Sequence, residues 1–105
     1  MKKWLLVGLL LVAGHASAGQ WVPYFRITNL FLSTPENFHY RVEGMPTVST
    51  CTNATNWAYI NESDPGSKTY IAVLTSAFAM EKPVALFVEP VNGYCHILEM
   101  QISSN

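Results

Sequence analysis

The chain has 105 residues, half of them apolar, with six basic and seven acidic side chains and a formal net charge of −1. So much apolar and so little charged sequence argues against a disordered chain, and the length allows one small domain. No basic run or patch is present, which argues against nucleic acid and anionic lipid surfaces as partners, since both are held mainly through phosphate contacts.

The chain opens on Met1-Lys2-Lys3, then an almost unbroken apolar run from Trp4 to Ala13, then Gly14-His15-Ala16-Ser17-Ala18-Gly19. This layout of charge, apolar run and A-x-A predicts a secretory signal peptide over 1–18, cut after Ala18, and a working domain over 19–105 in the periplasm or outside a bacterial cell. The apolar run is too short to cross a bilayer, so no membrane span is expected. Cleavage removes Lys2 and Lys3. Arg26, Arg41, Lys68 and Lys82 then face Glu36, Glu43, Glu62, Asp64, Glu81, Glu89 and Glu99, four positive against seven negative, for a net charge of −3 with histidines neutral.

Gln20 to Ser33 reads as the first strand, with Pro23 near its start and Tyr24, Arg26, Thr28 and Leu30 alternating against Phe25, Ile27, Asn29 and Phe31. Ser33 to Asn37 is a turn cluster. Phe38 to Glu43 is the second strand, with Phe38, Tyr40 and Val42 on its buried face. Thr47 to Asn56 reads as a polar loop carrying Cys51, and Trp57 to Ile60 as a short third strand. The period then changes. Asp64 is the expected cap and Pro65 the first residue of an amphipathic helix of about four turns, with Tyr70, Leu74, Ala77 and Phe78 inward, ending near Glu81-Lys82 before Pro83. Pro83 to Glu89 is a buried fourth strand and Pro90 to Gly93 a turn. Tyr94 to Ile102 is the fifth strand, with Cys95 and Ile97 on one face and His96 and Leu98 on the other. The expected fold is therefore mainly β with one α-helix, a small five-stranded OB-like barrel in the order β-β-β-α-β-β.

Cys51 and Cys95 are the two cysteines. In a small exported domain such a pair reads as a disulfide. Neither they nor His39 and His96 show ligand spacing of the C-x-x-C or H-x-x-x-H kind, so no metal and no cofactor is expected.

The segment Gly66 to Val88, with the Asn92-Gly-Tyr-Cys-His-Ile-Leu-Glu-Met-Gln-Ile stretch after it, resembles a group of small exported bacterial proteins similar to the B subunits of subtilase cytotoxin and its pertussis-like relatives. The resemblance lies in a K-x-x-x-x-x-L-x-x-A helix, a K-x-V-x-apolar-x-V strand and a cysteine at the start of the last strand. It implies an OB-type fold, a homo-oligomeric ring of five, and binding of cell-surface glycans. No sugar-contacting position is carried over from it.

No nucleophile sits in a recognisable elbow, so no catalytic residue is assigned and the chain is read as non-enzymatic. The aromatic side chains are the candidate contacts, because their faces stack on sugars and anchor interfaces. Tyr59, Phe25 and Phe87 are expected in the core. Trp21, Tyr24 and Trp57, near the ends of segments, are the candidate binding residues. The functional expectation is a binding module resembling a toxin B subunit. The alternative is a periplasmic accessory or inhibitor protein acting by contact with another exported protein.

Overall fold

The computed structural model describes residues 19–105, so the leader predicted over 1–18 lies outside the described residues. The fold is mainly β with one helix: β1 (Gln20–Phe25), β2 (Asn29–Leu32), β3 (Tyr40–Glu43), β4 (Ala54–Ile60), α1 (Ser67–Ala79), β5 (Val84–Val91) and β6 (Tyr94–Ile102). All six strands form one sheet in the order β1-β5-β6-β4-β3-β2. Every ladder is antiparallel except β4 with β6, which run parallel.

The expected five strands are six because the first one breaks. β1 pairs with β5 and β2 pairs with β3, so the two halves of Gln20 to Ser33 serve opposite ends of the sheet. Between them Thr28 donates its backbone N–H to Glu43 O at 3.0 Å. The break also shifts the alternation. Phe25 is buried as expected and Ile27 is buried with it, but after the corner Leu30 turns inward and Phe31 outward. The irregularity starts at Pro23, where the β1–β5 register slips between Val22 and Phe25, as a residue without an N–H makes a ladder do. Among the described residues no ladder joins β1 to β2, which stand at the two ends of the sheet, so the expected barrel is not closed by strand pairing.

Other boundaries move for local reasons. Strand β4 begins at Ala54, three residues before the expected Trp57, because Ala54 pairs with Tyr94 across the parallel ladder. Strand β5 runs on through Pro90 and Val91, and the hairpin to β6 is the two-residue loop Asn92-Gly93. Both loop residues have positive φ, 54° and 82°, the requirement of a type I′ turn and the reason for Asn-Gly there. Gly44 after β3 has φ 103°, and a Cβ there would lie 2.6 Å from Thr28 Oγ1, so the corner beneath the first strand admits only glycine.

The helix starts at Ser67, not Pro65. Gly66 takes the cap position at φ 75° with no side-chain cap, while Asp64, the expected cap, points its carboxylate elsewhere. At the other end Glu81 adopts φ 56° and Lys82 N–H bonds Ala77 O at 2.9 Å, a Schellman ending. Arg26 Nε donates to Glu81 O from the corner between β1 and β2. Leu74 and Ala77 are buried against the sheet, Tyr70 and Ile71 pack beside them, and Phe78 faces solvent despite its place in the expected apolar stripe.

The core gathers Val22, Tyr40, Val42, Ile60, Leu74, Leu86 and Val88 around the disulfide between Cys51 and Cys95, whose Cα atoms are 5.3 Å apart. The disulfide ties the segment before β4 to the start of β6, both fully buried. Among the described residues no helix is long and apolar enough to cross a membrane.

Candidate functional site

The outer face of the sheet carries a dense aromatic cluster. In β4, Ala58 and Ile60 point into the core, so Trp57 and Tyr59 point to the other side. Phe38 joins them there. The expected alternation placed Phe38 on the buried face with Tyr40 and Val42, but it lies before β3 at φ 53°, and that left-handed turn folds its ring back over the outer face. Its ring centroid is 4.7 Å from Tyr59, 4.8 Å from Tyr94 and 5.5 Å from Trp57, mostly in edge-on or tilted contacts. Trp57 and Tyr94 are 5.6 Å apart. Such contacts add to simple burial because ring edges meet ring faces of opposite partial charge.

Beside this cluster lies a cavity of about 250 Å³, lined by Phe38, Tyr59 and Tyr94, by Asn61 and Asn92, and by Glu36 and Val91. The walls come from the β2–β3 loop, the β4–α1 loop and the β5–β6 hairpin, with Tyr59 of β4 between them. Glu36 is fixed across two of them, accepting from Ser63 N at 2.9 Å and Ser63 Oγ at 2.6 Å. Asn61 Oδ1 accepts from His39 N. The result is an aromatic floor with amide and carboxylate groups on its rim, the mixture of apolar faces and few polar groups typical of small-ligand sites.

Arg41 lies on the opposite flank of the same rings. Its guanidinium carbon is 4.3 Å from the Phe31 centroid, 4.8 Å from Trp57 and 5.6 Å from Phe38. The rings supply cation–π attraction in place of a carboxylate. Arg41 Nε is buried and has no hydrogen-bond partner, a costly state for a charged donor inside a protein.

His96 sits behind Tyr59, with ring centroids 5.2 Å apart. Its Nε2 is 2.7 Å from Asp64 and its Nδ1 is 3.1 Å from Glu89. His39 is engaged separately, through Ser33 O. Among the described residues no group of histidine, cysteine and carboxylate side chains has the arrangement of a metal site.

Burial pushes the Tyr59 phenol above its ordinary value of 10.0, helped by the negative charges of Asp64 and Glu89. Burial does the same to Tyr40, opposed in part by its hydrogen bond to Thr75 of α1. Unfolded tyrosines ionise from about pH 10 while these two resist. Their stabilising effect is therefore complete below pH 10 and is lost as pH rises through the raised folded values. Ultraviolet absorbance against pH should show Tyr40 and Tyr59 ionising late, together with unfolding. Ionisation of both near the ordinary tyrosine value in a folded chain would contradict this.

The three binding residues expected from the sequence are not brought together. Trp57 joins the cluster. Trp21, 43 % exposed, packs on Phe87 at 5.4 Å, and Tyr24, 51 % exposed, donates to Gln101. Both belong to β1 at the end of the sheet. Tyr59 and Phe25 are buried as expected and Phe87 is half-buried, but Tyr59 is buried under Phe38 on the outer face and not in the core. Phe38, Tyr94, Arg41 and the pair Asn61 and Asn92 carry the site without any sequence motif that announces them. No family model, no curated relative and no solved structure matches the chain.

Proposed function

We propose that this protein is an exported, non-enzymatic binding module whose ligand is a glycan held in the cavity beside Phe38, Tyr59 and Tyr94. The observation that carries the reading is the cavity itself, an aromatic floor with Asn61, Asn92 and Glu36 on its rim. Sugar rings offer an apolar C–H face and an edge of hydroxyls, which aromatic faces and amide or carboxylate groups meet respectively. Arg41 does not line the cavity, but its charge lies against Phe38 and Trp57 on the far flank of the same cluster.

The non-enzymatic reading is supported by His96, whose two ring nitrogens are both taken by carboxylates and whose hydrogen-bond partners include no hydroxyl. The OB-like reading is supported by strand order. Consecutive β1 and β2 stand at opposite ends of the sheet, and the strand before the helix runs parallel to the last strand. If β1 and β2 act as one bent strand, the order becomes that of a five-stranded barrel. The Cys51–Cys95 disulfide suits an oxidising compartment outside the cytoplasm.

A second reading, contact with another exported protein or with further copies in a ring of five, is favoured by one feature. Val73 of α1, Met80 at its C-cap and Ile102 of β6 line an exposed, mostly apolar groove. Light scattering of the purified protein separates a monomer from a ring.

A glycan array with neutral and acidic members tests the first reading. Binding is expected, and Tyr94→Ala should weaken it about tenfold or more, as loss of a central aromatic anchor does. Trp21→Ala, outside the cavity, should leave it intact. An array with no bound glycan, or binding lost only with Trp21→Ala, overturns this reading.

A further inference from the structure

His96 is held from both sides. Its Nε2 lies 2.7 Å from Asp64 Oδ2 and its Nδ1 lies 3.1 Å from Glu89 Oε2. A neutral imidazole has one N–H and donates to one acceptor only, so both hydrogen bonds coexist only when the ring carries two protons. The imidazole is also mostly enclosed, with 18 % of its side chain exposed, so water does not readily replace a lost partner.

Tyr59 lines the cavity, while Asp64 and Glu89 do not line it but are each joined to a segment that does. Asp64 Oδ2 also accepts the Asn61 backbone N–H at 2.8 Å, and Asn61 lines the cavity. Glu89 lies two residues before Val91, where the β5–β6 hairpin contributes Val91, Asn92 and Tyr94 to the lining. Tyr59, whose ring meets the imidazole at a tilt of 38°, is itself lining. The ionisable groups facing His96 are thus Asp64 from the β4–α1 loop, Glu89 from β5 and Tyr59 from β4. Glu36, on the β2–β3 wall, is tied instead to Ser63.

We propose that the second ring proton of His96 holds the cavity in its binding shape, so that affinity for the cavity's ligand falls as pH rises and that proton is lost. The proposal rests on the reading of the cavity as the binding site. With one proton gone, a ring lone pair faces a carboxylate oxygen at hydrogen-bond distance. Attraction becomes repulsion, and either the Asn61 wall or the hairpin wall loses its tie. The neighbouring tyrosine phenol stays neutral over this change and does not compensate, because burial and the same two carboxylates hold its proton.

The test is a pH titration of the unliganded protein by nuclear magnetic resonance, paired with binding of the tightest array glycan. At the acid end both ring N–H groups of His96 should be present together. The backbone amides of Asn61, Asn92 and Tyr94 should shift with the same midpoint as the His96 ring nitrogens, and those of Trp21 and Tyr24 should not. His96→Gln should abolish the linked shifts, and the wild-type titration stands alone should that variant fail to fold. The array glycan should bind about tenfold more weakly on the basic side of that midpoint, the worth of one charge-assisted hydrogen bond. Cavity amides that ignore the His96 titration overturn the proposal, and so does equal glycan affinity on both sides of it. Linked amide shifts with no array glycan bound keep the switch and remove the glycan reading. Glycan binding that is blind to pH keeps the glycan reading and removes the switch.

Discussion

Replacing Cys51 and Cys95 together by alanine should lower the free energy of unfolding by about 4 kcal/mol, the chain-entropy value for a closed loop of this length. The two cysteines are 44 residues apart in sequence, so the disulfide removes a large set of open conformations from the unfolded chain. A domain of this size buries a modest share of its surface and has a net stability of about 5–15 kcal/mol at most. Loss of the disulfide therefore removes a large fraction of the total. The bond also ties two segments whose strands pair in the parallel β4–β6 ladder, and parallel pairs lack the short hairpin that holds an antiparallel pair together. Urea unfolding of the oxidised protein and the double variant, at equal slope, measures the difference. A change below about 1 kcal/mol would mean that the reduced, unfolded chain keeps enough structure to make the constraint redundant.

Leu74→Ala should cost about 3 kcal/mol, within the range of buried leucine truncations that leave a cavity. Leu74 is fully buried and is the one large aliphatic side chain that α1 commits entirely to the core. The other buried helix positions are Ala77 and Ser67, too small to close the gap. Tyr40 of β3 reaches Thr75 by a 2.8 Å hydrogen bond and Tyr70 reaches Leu98 O of β6. These polar ties orient the helix but bury little area, so the helix should stay attached yet loosen. Leu32→Ala, 67 % exposed in β2, is the control and should leave unfolding unchanged. Equal effects from Leu74→Ala and Leu32→Ala would contradict the placement of α1 over the core.

Much of the fold is legible in the residue pattern. The disulfide follows from two cysteines in a small domain expected to be exported, and the single helix with its end before Pro83 and strands β3, β5 and β6 follow from alternation, period and turn residues. The misreadings share a cause. Alternation over Gln20 to Ser33 looks like one strand because each half alternates correctly. The corner at Arg26 to Thr28 is set by a hydrogen bond to Glu43 from a distant segment, and local pattern carries no sign of it. In β6 the same effect appears as a register slip opposite Phe87 and Val88, which sends Met100 toward the core and Glu99 outward. Asp64 and Pro65 form a good helix start on local grounds. His96, 32 positions away, takes the Asp64 carboxylate, and the helix begins later, at Ser67 after the Gly66 cap.

The candidate site is less legible than the fold for a related reason. Trp57 is found by residue type and by its place near a segment end. Phe38 is misplaced because a single left-handed residue moves it off the face its spacing assigns. Arg41 is an ordinary outward residue of a half-buried strand until Phe31, Phe38 and Trp57 arrive from three other segments around it. Asn61 and Asn92 belong to loops 31 residues apart and read as turn formers, a role that Asn92 also fills. Turn residues chosen for backbone geometry thus supply the polar rim of the cavity.

The measurement that bears most directly on the central claim is a shift map by nuclear magnetic resonance, with the tightest array glycan added to the protein. The perturbed signals should gather at Phe38, Asn61, Asn92 and Tyr94, with Trp57 and Arg41 beside them, while Trp21 and Tyr24 stay still. Perturbations centred on Trp21, Tyr24 and Phe87, or on the Val73, Met80 and Ile102 groove, would contradict it.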